Sequence, residues 1–214
     1  MKQPTKKILV ADDHSIVRKG LKDTLEDELG NVTIGEAENG REVLDMVRKE
    51  KWDLLLLDIN MEGRSGLEVL EELRKTNPKL PVLILSMYPE EELAVRALKQ
   101  GAAGYLSKRR ASEEMVDAVK KVLAGGRYIS ATVAEKLAAD LQRESQQPLH
   151  ESLSNREFQV MRMIAMGRSL KEIGVELSIS AKTVGTYHTR LFQKMGMNSD
   201  IELTRYALIN KLVD

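Results

Sequence analysis

Asp12 and Asp13 follow the apolar run Lys7 to Ala11, Asp58 follows Asp53 to Leu57, Ser86 follows Leu80 to Leu85, and Lys108 lies just past Gly104 to Leu106. Three carboxylates, a hydroxyl and an ammonium thus stand at the ends of four short apolar runs. Carboxylates held close together raise one another's pKa or require a cation. An oxygen ligand set suits a hard divalent ion such as Mg2+ or Mn2+, which keeps several waters and takes only a few carboxylates. An ionised carboxylate needs no external base to accept a phosphoryl group, and a nearby hydroxyl and ammonium can bind the arriving oxygens. Any one Asp at a strand end is more often a turn former or helix cap. Five such groups at appropriate strand ends point instead to metal-assisted phosphoryl chemistry.

That chemistry requires the ends of the runs to converge, which sets the fold. Over residues 1–124, short apolar runs alternate with longer segments of helical periodicity, the pattern of a parallel sheet covered by helices. Val32 to Glu38 is a fifth, weaker strand candidate, and Val17, Leu21, Leu25 and Leu29 keep one apolar stripe on the intervening helix. Five strands and five helices fit. The first, third and fourth strands are the most apolar and are expected in the middle of the sheet, with the site beyond the strands' carboxyl ends. Gly125-Gly126 closes the last helix of this domain. Thr132 to Glu144 is expected to form one further amphipathic helix before the polar stretch Ser145-Gln146-Gln147-Pro148, so residues 125–149 read as a helical linker.

With Tyr105 added, the array Asp12-Asp13, Asp58, Ser86, Tyr105 and Lys108 resembles a response-regulator receiver over about residues 1–124. The resemblance implies a flavodoxin-like, five-stranded doubly wound parallel sheet with Asp58 as phosphoacceptor. It implies a metal held by Asp13, Asp58 and the backbone carbonyl of Asn60, with Asp12 holding metal-bound water. Ser86 and Lys108 would contact the phosphoryl group, and Tyr105 would be the aromatic whose rotation reports phosphorylation. Tyr105 on its own could equally be a static, half-buried edge aromatic. One departure is Met61-Glu62-Gly63, where the family commonly has proline between methionine and glycine; Glu62 adds a negative charge near the acceptor or is a solvated loop residue.

Residues 150–214 contain helical segments without strands, so the second domain is expected to be a small all-α four-helix unit. Ser154 with Glu157 and Ser199 with Glu202 have capping-box spacing. Leu170 to Leu177, a turn at Ser178-Ile179, and a helix capped by Ser180 and running through Lys194 have the rhythm of two helices joined by a tight turn, with Ile173, Leu177, Ile179, Val184 and Leu191 packed between them. There is no acid from Lys182 to Lys194. This segment, with Leu153-Ser154-Asn155-Arg156-Glu157 before it and Lys182-Thr183-Val184 inside it, resembles the LuxR-type helix-turn-helix over about 150–212. Together the halves resemble NarL/FixJ-type regulators, and Thr186-Tyr187 resembles the branch that includes BvgA, EvgA and GacA.

The resemblance implies that the helix from Ser180 enters the major groove. Gly185, Thr186 and Thr189 would lie nearest the bases, and Lys182, Thr183, Arg190 and Lys194 would offer further phosphate or base-edge contacts. Without the motif, the same basic residues would be a solvated helix face. Gly185 is a second departure, because a long polar residue is often found there. His188 reads as a packing or phosphate-proximal residue rather than a zinc ligand. Asp200 to Leu212 forms the expected last helix, whose Leu203, Ala207, Ile209 and Leu212 divide between closing the core and a two-fold contact.

The composition bounds the remaining classes. The chain has 214 residues and no cysteine, which excludes disulfides and thiolate chemistry. Its formal charge of zero hides a weak asymmetry. Residues 1–124 carry 21 basic against 23 acidic side chains, and residues 150–214 carry 9 against 7. No run approaches the roughly 18 apolar residues that span a bilayer, and Pro4 and Lys6-Lys7 lack a signal peptide's apolar core, so a cytoplasmic protein without a membrane partner is expected. An aspartyl-phosphate phosphohydrolase would need a second acid two residues after Asp58, where Asn60 stands, and a protein-binding adaptor sits poorly with the acid-free basic face. The expected partners are a sensor histidine kinase, double-stranded promoter DNA, a second copy of the chain upon phosphorylation, and RNA polymerase. The expected role is therefore that of a transcriptional switch and not of an enzyme, beyond self-phosphorylation and dephosphorylation at Asp58.

Overall fold

The computed structural model describes residues 5–87, 90–109, 111–142 and 148–213. Five parallel strands, β1 (Lys6–Ala11), β2 (Val32–Ala37), β3 (Leu54–Asp58), β4 (Val82–Ser86) and β5 (Gly104–Ser107), form one sheet in the order β2-β1-β3-β4-β5. The three most apolar strands are the three interior ones. They are covered on both faces, so nearly every position must be apolar, and all five residues of β3 and of β4 are buried. β2 lies at an edge and alternates between half-exposed and exposed until Ala37, which is why its pattern is weaker in the sequence.

Helices α1 (Ser15–Leu29), α2 (Gly40–Lys49), α3 (Gly66–Thr76), α4 (Glu90–Lys99) and α5 (Ala111–Leu123) alternate with the strands. Ile8, Val10, Leu54, Leu56, Leu83, Leu85 and Leu106 form one core layer with Leu21 and Leu25 of α1 and Met115, Ala118, Val119 and Val122 of α5. By strand alternation the equally buried Leu9, Leu55, Leu57 and Ile84 face the opposite side. Each fully buried Leu or Ile contributes roughly 2 kcal/mol, so these layers fix the strand register firmly. From β1 the chain moves outward to β2 and then back past β1 to β3. The sheet's switch point therefore lies between the carboxyl ends of β1 and β3, where such folds open a crevice.

Several boundaries differ from the sequence expectation by one or two residues. β3 includes Asp58, whose backbone pairs with Leu85. β4 starts at Val82, because Pro81 has no N–H to give to a ladder. Gly125, at φ +86°, ends α5 through bonds from Gly125 N–H to the Val122 carbonyl and from Gly126 N–H to the Lys121 carbonyl. α6 spans Ala131–Gln142, while Pro4 and residues 143–147, including Ser145-Gln146-Gln147 of the expected tether, lie outside the described residues.

The chain divides into two compact units between Ala138 and Ala139. The first takes in the start of α6: Tyr128 makes a parallel bridge to Gly104 and donates its N–H to the Ala103 carbonyl, and Val133 is buried. The second unit contains a 3-10 turn (Leu149–Ser152) and helices α7 (Asn155–Ala165), α8 (Leu170–Glu176), α9 (Ala181–Met195) and α10 (Asp200–Ile209). α10 ends before Leu212. Leu203 and Ala207 are buried, whereas Ile201, Leu208 and Ile209 are exposed.

Candidate functional site

β1 and β3 deliver Asp12 and Asp58 side by side at the switch point, and both are essentially without solvent contact. Asp13 follows at the rim. One ligand atom each from Asp12, Asp13, His14 and Asp58 can be chosen so that all lie within 4.8 Å of one another. The Lys108 ammonium, just past β5, reaches across β4 to sit 2.6 Å from Asp12 Oδ2 and 2.8 Å from Asp58 Oδ2. Ser86 is buried at the end of β4, opposite Ser107, and its carbonyl accepts the Lys108 N–H at 2.7 Å. The structure thus brings Asp12, Asp13, Asp58 and Lys108 together and places Ser86 on the same edge. Tyr105 is buried within β5 beside Ile84, which is more enclosed than a half-buried edge aromatic. Glu62 is exposed.

Burial is the largest influence on Asp58 and pushes its carboxyl up; Lys108 opposes the shift, Asp12 adds to it, and the result is a pKa raised to about 6. Burial also pulls the Lys108 ammonium down, but the carboxylates of Asp58 and Asp12 outweigh it and hold the pKa above its ordinary value. Asp58 Oδ1 and the side-chain Oδ1 of Asn60 are buried without a hydrogen-bond partner among the described residues. Unsatisfied buried oxygens beside a carboxylate cluster are the donor set a hard divalent cation fits.

Three residues that the sequence reading passed over position this site. Arg18 is buried. It donates from Nη1 to the Asp12 carbonyl at 2.8 Å and from Nη2 to Glu38 Oε1 at 2.5 Å, and so ties the end of β1 to the loop after β2. Its signal was available, because Arg18 is three residues before Leu21 and seven before Leu25, on the apolar face of α1. Gly66 begins α3 so close to β3 that an added Cβ would stand 2.1 Å from the Asp58 carbonyl oxygen. The Ser65–Glu68 capping box fixes that start. His14 places Nδ1 2.6 Å from Asp13 Oδ1 and 3.3 Å from Asp12 Oδ1.

In the second unit, Ser180 accepts the Thr183 N–H and starts α9, and Gly196, in the left-handed region, ends it. Val184, Leu191 and Met195 are buried with Ile173 and Leu177 of the preceding helix, and Ile179 is half-buried in the turn. Lys182, Thr183, Thr186, Thr189 and Arg190 are exposed on the other side. The hydroxyls of Thr186 and Thr189 donate to the carbonyls of Lys182 and Gly185, leaving acceptor lone pairs outward. An added Cβ at Gly185 would meet nothing within 4 Å. Lys194, expected among the phosphate contacts, is part-exposed at the end of α9 and makes an ion pair within the unit. Its ammonium is 2.6 Å from Oε2 of the buried Glu157, the same carboxylate that caps α7 with Ser154. His188 stacks near Phe192 and pairs with Asp200 at 2.7 Å, consistent with a packing role. Ser169 with Glu172 forms a second capping box in this unit that was missed in the sequence, whereas the box expected at Ser199 is incomplete: its hydroxyl accepts the Glu202 N–H, but the Glu202 carboxylate takes the N–H of Asn198.

No helix among the described residues is long and apolar enough to cross a membrane. The response regulator receiver domain family matches residues 8–120, and the LuxR family of bacterial regulatory proteins matches residues 151–207. The chain is 38% identical to response regulator GacA of Pseudomonas aeruginosa, covering 97% of this chain and 98% of the relative. It is 36% identical to response regulator UvrY of Escherichia coli, covering 94% and 93%. RcsB of Salmonella enterica, solved bound to the rprA promoter with a phosphomimetic, shares the fold at 24% identity and a TM-score of 0.61, covering 94% of this chain and 98% of that one. With the acidic pocket at one end of the chain and the helix-turn-helix at the other, the chain belongs to the NarL/FixJ-type response regulators, which join a receiver domain to a LuxR-family DNA-binding domain.

Proposed function

We propose that a sensor histidine kinase transfers a phosphoryl group to Asp58 and that the phosphorylated chain binds promoter DNA through α9. The observation that carries the reading is the Lys108 ammonium held between Asp12 and Asp58 at the switch point of the sheet. In the transfer, an Asp58 oxygen attacks phosphorus, the bond from phosphorus to the kinase imidazole breaks, and the imidazole keeps the electron pair and takes up a proton from water. Asp13, Asp58 and the Asn60 carbonyl would hold Mg2+ directly and Asp12 would hold it through water. When bound, the ion neutralises charge on the phosphoryl oxygens. The new group brings about −1.5 to −2 charge to a pocket that already holds an ammonium. Lys108 then turns from the carboxylates to the phosphoryl oxygens, Ser86 donates its hydroxyl to them, and Tyr105 on the same strand as the path to Lys108 reports the change by rotating.

On the output side, Lys182 and Arg190 contact phosphates, and Thr183, Gly185, Thr186 and Thr189 face the groove. Lys194 braces α9 against α7 instead of reaching DNA. The exposed Ile201, Leu208 and Ile209 of α10 form the contact with a second copy, so that two reading helices meet two half-sites, and residues 125–149 link the units. The protein works in the cytoplasm, where kinase, DNA and RNA polymerase are all accessible. Purified protein and Asp58→Ala are incubated with and without acetyl phosphate and Mg2+ and presented with a pool of genomic fragments. Tighter, site-selective binding by phosphorylated wild type alone is the expected result; equal binding by all samples would disconnect the receiver from the output.

A further inference from the structure

We propose that His14 is a further metal ligand at the acidic site, so that this receiver favours a borderline transition-metal ion such as Co2+ or Zn2+ over Mg2+ by more than its carboxylates alone would give. The proposal rests on the reading that Asp13 and Asp58 hold a divalent cation. The His14 Nδ1 already lies 2.6 Å from Asp13 Oδ1 and 3.3 Å from Asp12 Oδ1, and it joins three carboxylates in a set spread over 4.8 Å. Ligand atoms about 2.1 Å from one ion lie at most about 4.2 Å apart, so side-chain shifts of roughly half an ångström close the set. The His14 side chain is 70% exposed and its ring can turn without displacing core atoms. Asp58 is 1% exposed, and although the Lys108 ammonium lies 2.8 Å from its Oδ2, its Oδ1 and the side-chain Oδ1 of Asn60 are buried without a hydrogen-bond partner among the described residues, which independently leaves oxygens in the pocket open to a metal ion. Imidazole nitrogen binds Zn2+ and Co2+ well, whereas Mg2+ prefers oxygen and water. The chain's two other histidines are engaged elsewhere, His150 with Tyr206 and His188 with Asp200.

The test titrates the full-length protein with Co2+ and, separately, with Mg2+ by equilibrium dialysis, and records the visible absorption of bound Co2+. Wild type is compared with His14→Ala, His14→Gln, His188→Gln and Asp58→Asn. The expected result is that His14→Ala weakens Co2+ about tenfold or more, with Mg2+ changed less than about threefold. His14→Gln, with an amide oxygen in place of the ring nitrogen, leaves Co2+ weakened and shifts its absorption, and His188→Gln changes neither ion. Equal weakening of both ions by His14→Ala, unchanged Co2+ affinity in that variant, or loss of Co2+ binding in His188→Gln overturns the proposal. The two readings fail differently. Mg2+ affinity untouched by Asp58→Asn refutes the acidic site itself and the proposal with it, whereas loss of both ions in Asp58→Asn with neither lost in His14→Ala refutes the role of His14 alone.

Discussion

Asp58 is enclosed with Asp12 at its side, and burial raises its pKa to about 6 although Lys108 opposes the shift. A carboxylate whose folded pKa exceeds its unfolded value is destabilising once ionised. That cost is absent below about pH 4, grows as pH rises towards 6, and is complete above it. Asp58→Asn is therefore expected to stabilise the metal-free first unit by on the order of 2 kcal/mol at pH 7 and by nothing near pH 4, as read by urea unfolding at both pH values. A variant without extra stability at pH 7 would mean that Lys108 offsets the burial in full. Gly185 carries the opposite lesson on the output helix: its position is open, so Gly185→Ala should gain up to about 1 kcal/mol in the unfolding of the second unit. The acceptor, the acidic pair, Ser86 and Lys108 were legible because each follows an apolar run. Gly66 was not, since it acts by letting α3 approach the backbone of β3, which spacing along the chain does not display; for Arg18 the spacing showed its place on the apolar face of α1 but not its partners Asp12 and Glu38.

Helix starts carry much of the precision of both units. α3 begins against β3 with no room for a side chain, so Gly66→Ala must push the helix or the Asp58 backbone aside. A loss of about 2 kcal/mol or more, together with weaker Mg2+ binding, is expected from unfolding and dialysis measurements. In α7, burial tends to raise the Glu157 pKa, but Lys194 and the Ser154 cap outweigh it and hold it below the ordinary value. Its contribution is present above about pH 4.5 and is lost as pH falls through the lowered folded value. Glu157→Gln should cost about 1 kcal/mol or more at pH 7, with the difference from wild type vanishing in acid. The capping boxes at Ser65 and Ser169 share the spacing that revealed Ser154, and strand β2 was faint because an edge strand needs fewer apolar residues.

At the scale of the molecule, the division between Ala138 and Ala139 leaves each unit with its own core. Heating should therefore give two transitions, and Mg2+ at a hundred times its dissociation constant should raise only the first unit's stability, by about 2.7 kcal/mol. Calorimetry with and without the ion checks this, and a single transition moved as a whole would show that the units unfold together. The pairing of Lys194 with Glu157 has a further consequence for how the chain holds DNA. Each cation that neutralises a phosphate sets free a condensed counterion and steepens the fall of affinity with salt, by a slope of about 0.9 per contact. A cation already neutralised from within the protein sets none free. Lys194→Gln should thus leave the salt dependence of DNA binding unchanged while loosening the fold, whereas Lys182→Gln or Arg190→Gln should flatten it by about one unit per protomer.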